Sequence, residues 1–191
     1  MPDFNFQINP GKSISEKFLE IGITDFISAS SFVRQLPYRR NTDKYDLMKI
    51  FRENCGTCST KHALLKELAN ENSIPGIRLM LGIYRMNEQN TPDIGNTLLK
   101  YKMDFIPEAH NYLRIENAIA DYTFEKTVTE NFERELLTEM EITPQQIGEF
   151  KINFHKKFLL NWLGENKSVN LSPVELWSIR EECIEKLSET R

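Results

Sequence analysis

A chain of 191 residues has room for one domain with a sizeable core. Apolar residues make up 40% and charged residues 27%, with eight Gly and eight Pro, which excludes the disordered and fibrous classes. The formal net charge of −4 and the shortness of the basic pairs Arg39-Arg40 and Lys156-Lys157 argue against a phosphate-backbone partner, so no nucleic acid is expected. The opening stretch MPDFNFQINPGKSISEKF offers neither a basic leader nor an uninterrupted apolar run. A cytoplasmic protein without a membrane partner is therefore expected. Three cysteines, an odd number in a chain large enough to fold without staples, leave at least one thiol free.

In chain order, Ile14, Phe18, Leu19, Ile23, Phe26, Ile27, Phe32 and Val33 recur at near-helical spacing and predict helix over 13–36, broken around Gly22. Asn41 or Thr42 is placed to cap a second helix carrying Tyr45, Leu47, Met48, Ile50 and Phe51 as far as Gly56. CSTKHALLKELANEN, dense in Ala, Leu, Lys and Glu, predicts a third helix from Thr57 or Cys58 to about Asn72. IRLMLGIYRM reads as a buried strand over 77–86, and 87–102 as a polar surface excursion. EAHNYLRIENAIADYTF reads as two strands joined at Glu116-Asn117. Thr143-Pro-Gln-Gln then caps a helix carrying Phe150, Phe154, Phe158 and Trp162 at four-residue steps, with His155 on its solvent side, and Ser172-Pro-Val-Glu caps a last helix to about Ser188. The expected division is a mixed core, 1–140, and a C-terminal helical extension, 141–191, packed on it.

Cys55 and Cys58 sit three residues apart at the head of the third helix, and three chemistries compete for them. As half of a metal site they lack an obvious second pair, since only Cys183 and three scattered His residues remain and His62 is the nearest; no metal and no cofactor are expected. As a dithiol redox pair they would profit from a helix dipole that lowers a thiol pKa. As a nucleophile, Cys58 at a helix N-terminus needs a histidine within reach and a residue to orient it. His110 and Asp121 in the hairpin are candidates, with His62 a competing base. If the turn is the two-residue pair Glu116-Asn117, Asp121 stands across from Tyr112 on the face that carries His110; a three-residue turn separates them. Tyr112 and Arg114 share that face and would line a groove.

The segment GTCSTKHALLKELANENSIPGIRLMLGIY resembles the nucleophile segment of the transglutaminase-like superfamily, in which Gly-x-Cys opens a helix and an Ile-Pro-containing strand follows. EAHNYLRI and IADYT resemble the family's His strand and its later Asp strand, in the same order, over roughly residues 35–125. The resemblance implies an α+β, papain-related fold: a helix bearing Cys at its N-terminus on a small antiparallel sheet. It also implies Cys58 as nucleophile, His110 as acid/base and Asp121 as its orienting partner, with a peptide or small amide as substrate. Tyr112 and Tyr122 stand where the family usually has Trp and often Pro. The Cys58 N–H, with Gln35 or Asn54, would supply the oxyanion hole. A catalytically silent interaction domain and a dithiol oxidoreductase are the alternatives.

Overall fold

The computed structural model of the protein describes residues 4–125 and 132–190. Ile14 and Phe18, four apart, bury one side of α1 (Ser13–Glu20), and Gly22, at φ +80, supplies the left-handed turn that separates it from α2 (Phe26–Gln35). The Asp25 carboxylate starts α2 by accepting the Ser28 N–H at 3.0 Å. The helix predicted from Asn41 or Thr42 is confined to α3 (Lys49–Glu53). Local side-chain bonds compete with it: Asp43 accepts the Tyr45 N–H at 2.8 Å, and Glu53 reaches back to the Asn41 amide and the Thr42 N–H, both at 3.1 Å.

The cysteine helix α4 (Cys58–Glu71) opens with a capping box in which Thr57 accepts the Thr60 N–H and Thr60 accepts the Thr57 N–H. β1 (Ile77–Met86) follows, then the excursion, which folds into a single 3-10 turn and α5 (Gly95–Lys100). β2 (Ile106–Ile115) and β3 (Ala118–Ala120) form the expected hairpin, and α6 (Phe132–Glu135) runs directly into β4 (Leu136–Ile142), for which no element was expected. The Thr143/Gln146 capping box, expected to open the Phe-bearing helix, instead opens a 3-10 turn (Pro144–Ile147), and α7 (Glu149–Glu165) starts after Gly148 without a side-chain cap; Ser172 and Glu175 cap α8 (Pro173–Thr190) as expected. Among the described residues no helix is long and apolar enough to cross a membrane.

The architecture is α+β: four antiparallel strands in the order β3-β2-β1-β4, covered by helices on both faces. β1 lies between two partners and is buried on both sides, which explains its near-continuous apolar sequence. Leu79, Leu81 and Ile83 join a core shared with α1, α2 and α4, whereas Met80, Tyr84 and Met86 join a second core shared with α8 and α5. Glu141 lies within β4, so the helical extension departs from the sheet itself. In α7, Phe154 and Phe158 pack on the first core and Trp162 on the second, but Phe150 is 39% exposed and does not join the expected stripe.

The outer edge of β2 is only partly paired. β3 reaches no further than Leu113, and over the remainder α7 lies alongside, with His155 Nε2 donating to the Pro107 carbonyl at 2.8 Å. Gly82, opposite His110 in β1, leaves room for the Tyr112 ring and Leu136: a Cβ there would stand 2.7 Å from Leu136 Cδ1 and 3.0 Å from Tyr112 Cε1. Gly82→Val should destabilise the protein by about 1–3 kcal/mol through overpacking, read as a lower urea midpoint with an unchanged slope.

Candidate active site

Each of the three residues expected to converge is placed by a different constraint. α4 carries Cys58 at its first position, where the unpaired N–H groups and the positive end of the helix dipole favour an anion. β2 carries His110 among the rings of Tyr84, Tyr112 and Phe132. The hairpin turn is the two-residue Glu116-Asn117, because Ile115 pairs with Ala118 and Leu113 with Ala120, and Glu116 accepts the left-handed φ of 56 that the turn requires. Asp121 thereby falls beside His110, and its Oδ2 meets His110 Nε2 at 2.8 Å. Asp121 Oδ1 accepts both the Thr123 N–H at 2.9 Å and the Thr123 hydroxyl at 2.6 Å.

With Nε2 committed to the carboxylate, Nδ1 is the nitrogen left for the thiol. The Cys58 sulfur accepts from the Asn111 backbone N–H, on the stretch of β2 that β3 does not cover. It also lies 3.6 Å from Lys151 Nζ. Burial pushes the Cys58 thiol up, but the Lys151 ammonium, the His110 ring and the Asn111 N–H outweigh it and hold the thiol down at about 6. Burial pushes His110 down, and Asp121 and Cys58 together raise it to about 10. Asp121 is held far below the carboxylate range: burial opposes this, but His110, His62 and Thr123 prevail. Around neutral pH the three form a thiolate, an imidazolium and a carboxylate.

His62, the competing base, is committed elsewhere. Its Nδ1 bonds the Cys58 carbonyl at 2.7 Å and its Nε2 accepts the Tyr122 N–H at 2.8 Å, which fixes the neutral tautomer and leaves no nitrogen for a proton or a metal. Burial drives its pKa down to about 4. Lys61, fully buried, bridges the Leu36 and Thr123 carbonyls at 2.6 and 2.7 Å, tying the segment after Asp121 to α4. All three cysteines are free and buried. The Cys55 carbonyl and sulfur receive the Asn41 amide at 3.0 and 3.8 Å. Burial pushes the Cys183 thiol up to about 12.

A cavity of about 720 Å³ opens on Cys58, Ser59 and Thr60 and is walled on its far side by α7 and α8. Lys151, Glu108 and Arg180 there escaped the sequence reading, and His155 was placed wrongly by it. Lys151, 8% exposed, also bonds Ser59 Oγ at 2.8 Å and Asn111 Oδ1 at 2.9 Å. His155, expected on the solvent side of its helix, is 1% exposed, because α7 lies along the β2 edge rather than on the sheet face. Glu108 and Arg180 form a buried two-bond ion pair at 2.6 and 2.8 Å. Conversely, Gln35 and Asn54 are exposed and line no part of the cavity, so neither is placed to serve an oxyanion hole. Tyr112 and Arg114 do not line it either; both bond the Glu139 carboxylate on β4. No family model, curated protein or solved structure matches the chain.

Because His62 is neutral when folded, the unfolded chain gains a proton first as pH falls below its ordinary 6.5. The His62 contribution to stability is complete above that value and is lost as pH falls through about 4, a change on the order of 3 kcal/mol. Urea unfolding at pH 6.5 and 4.5 should show this decline, and His62→Gln should remove a large part of the slope.

Proposed function

We propose that this protein is a thiol-dependent acyltransferase or amide hydrolase of the transglutaminase-like, papain-related kind, acting on a peptide or small amide through Cys58, His110 and Asp121. The observation that carries this reading is the 2.8 Å bond between His110 Nε2 and Asp121, which leaves Nδ1 free on a ring that, with Lys151, holds the Cys58 thiol down at about 6. A buried carboxylate orienting an imidazole beside a thiolate at a helix N-terminus is the arrangement nucleophilic acyl chemistry requires. The order of these residues along the chain and the α+β frame agree with the family resemblance.

In this mechanism the Cys58 thiolate attacks the substrate carbonyl and forms an S–C bond, while the carbonyl pair moves onto oxygen. Collapse of the intermediate breaks the C–N bond, and the His110 imidazolium delivers its proton to the departing amine. His110, now neutral, takes a proton from water or from an acceptor amine, which attacks the thioester and restores the thiolate. Asp121 remains ionised throughout and keeps the ring aligned. A cavity of about 720 Å³ lies in the range that holds small ligands or a short peptide segment.

Alkylation by iodoacetamide, read peptide by peptide with mass spectrometry, tests the reading. Cys58 should react with a midpoint near pH 6, and Cys58→Ala should remove that label while Cys55→Ala leaves it. His110→Ala should move the midpoint up toward the ordinary thiol range, about 8.5. A Cys58 midpoint already in that range would favour a silent interaction domain. Preferential labelling of Cys55, with a reversible Cys55–Cys58 bridge, would favour the oxidoreductase.

A further inference from the structure

Lys151 Nζ is buried against the sulfur, where burial lowers its pKa and the Cys58 thiolate and Glu108 oppose that, and its donors meet three acceptors: Cys58 Sγ at 3.6 Å, Ser59 Oγ at 2.8 Å and Asn111 Oδ1 at 2.9 Å. None of these is a carboxylate. Glu108 acts on Lys151 through space but is clamped by Arg180 at 2.6 and 2.8 Å. The counter-charge within contact is therefore the Cys58 thiolate, and a buried cation without one is costly. Ser59 Oγ also donates to Asn111 Oδ1 at 2.9 Å, so the two neutral acceptors brace each other and fix where the ammonium sits. The site lies on the cavity wall next to Cys58.

We propose that Lys151 is a catalytic residue of the acyl-transfer site, its ammonium donating to the oxyanion that forms when Cys58 attacks a carbonyl. The proposal rests on the acyl-transfer reading above and assigns a donor that the expected Gln35 and Asn54 do not supply. As the S–C bond forms, sulfur loses its negative charge and the adjacent carbonyl oxygen gains it. The Lys151 N–H directed at sulfur turns to that oxygen, while the bonds to Ser59 and Asn111 hold the nitrogen in place. No proton leaves Lys151. When the intermediate collapses, the electron pair returns to the carbonyl, the C–N bond breaks, and His110 supplies the proton to the amine. The negative charge moves from sulfur across the carbonyl carbon to oxygen, past a fixed cation, the preorganised stabilisation that lowers acyl-transfer barriers. The Cys58 N–H, at the first position of α4, is the second donor.

Two reagents separate this role from simple support of the thiolate. Iodoacetamide is attacked at a saturated carbon and reads thiolate formation alone; p-nitrophenyl acetate is attacked at a carbonyl and passes through an oxyanion. The ratio of Cys58 acetylation to Cys58 alkylation at one pH cancels the thiolate fraction. In Lys151→Met, with folding checked by circular dichroism, that ratio should fall by about a hundredfold, the typical cost of losing one oxyanion donor. In Lys151→Ala the ratio should fall similarly and recover when ethylammonium, but not ethanol, is added; this variant carries the test if Met at 151 prevents folding. A ratio within about twofold of wild type in a folded variant would overturn the role of Lys151 and leave the Cys-His-Asp reading standing. Wild-type protein that alkylates at Cys58 yet is never acetylated there would overturn the acyl-transfer reading itself, and the oxyanion role with it.

Discussion

Side chains on paired strands alternate between faces, so the number of residues in the β2–β3 turn decides whether His110 and the residue after β3 look the same way. Two residues, Glu116 and Asn117, put Asp121 beside the imidazole; a third would send it to the opposite face. The charges of the site follow from this parity. Without the carboxylate at 2.8 Å the buried imidazole would lose its proton. With it, an imidazolium stands next to Cys58 and helps hold the sulfur as an anion. Glu116 carries the strained part of the arrangement, a left-handed φ of 56 at a residue with a full side chain.

The cluster around that hairpin packs many ionisable groups into a small volume, and each is neutralised in its own way. Lys151 faces the thiolate, Asp121 faces the imidazolium, and Arg180 faces Glu108. Among the described residues Lys61 donates to the Leu36 and Thr123 carbonyls, and burial lowers its pKa to about 8. His62 stays neutral because both nitrogens are already engaged in the roles that only the uncharged ring can fill. The thiolate and imidazolium contributions to stability run in opposite directions. A thiol at about 6 adds stability as pH rises toward its ordinary 9.0, while a histidine at about 10 loses it above its ordinary 6.5. Between these values the two slopes offset, so the ion pair can be kept at neutral pH without a steep dependence of folding on pH.

What could be read beforehand follows the range of the interactions involved. The α4 boundary was legible because a run of helix formers acts within a few residues, and the structure adds the Thr57/Thr60 capping box that fixes it. β1 was legible because a strand buried on both faces has few polar positions. The hairpin itself was legible from its strand formers, but its register was not: the sequence allowed a two- or a three-residue turn, and the Ile115–Ala118 pairing selects the former. β4 was not: it is an edge strand with mostly half-exposed side chains, so its residues lack the strong alternation that a one-sided core imposes. Lys151 and His155 were hidden for another reason. In an amphipathic helix a lysine and a histidine beside a Phe stripe read as the solvent side, and only the docking of α7 on a strand some forty positions away buries them. The same docking turns Phe150, a member of that stripe, outward.

The shortness of β3 is what allows the sulfur and α7 to reach β2 at all. A longer β3 would continue along the edge and take the Asn111 N–H, which instead points at Cys58. β3 stops because the chain after Ala120 is given other partners: the Tyr122 N–H goes to His62, the Thr123 N–H to Asp121, and the Thr123 carbonyl to Lys61. Two of these three partners sit on α4, one turn or less beyond Cys58. The helix that presents the thiol thus also ends the strand that would displace it, and the freed edge receives α7 with Lys151. Thiol, carboxylate and buried lysine come from segments far apart in the chain, yet a single junction between α4 and the end of β3 sets all three positions.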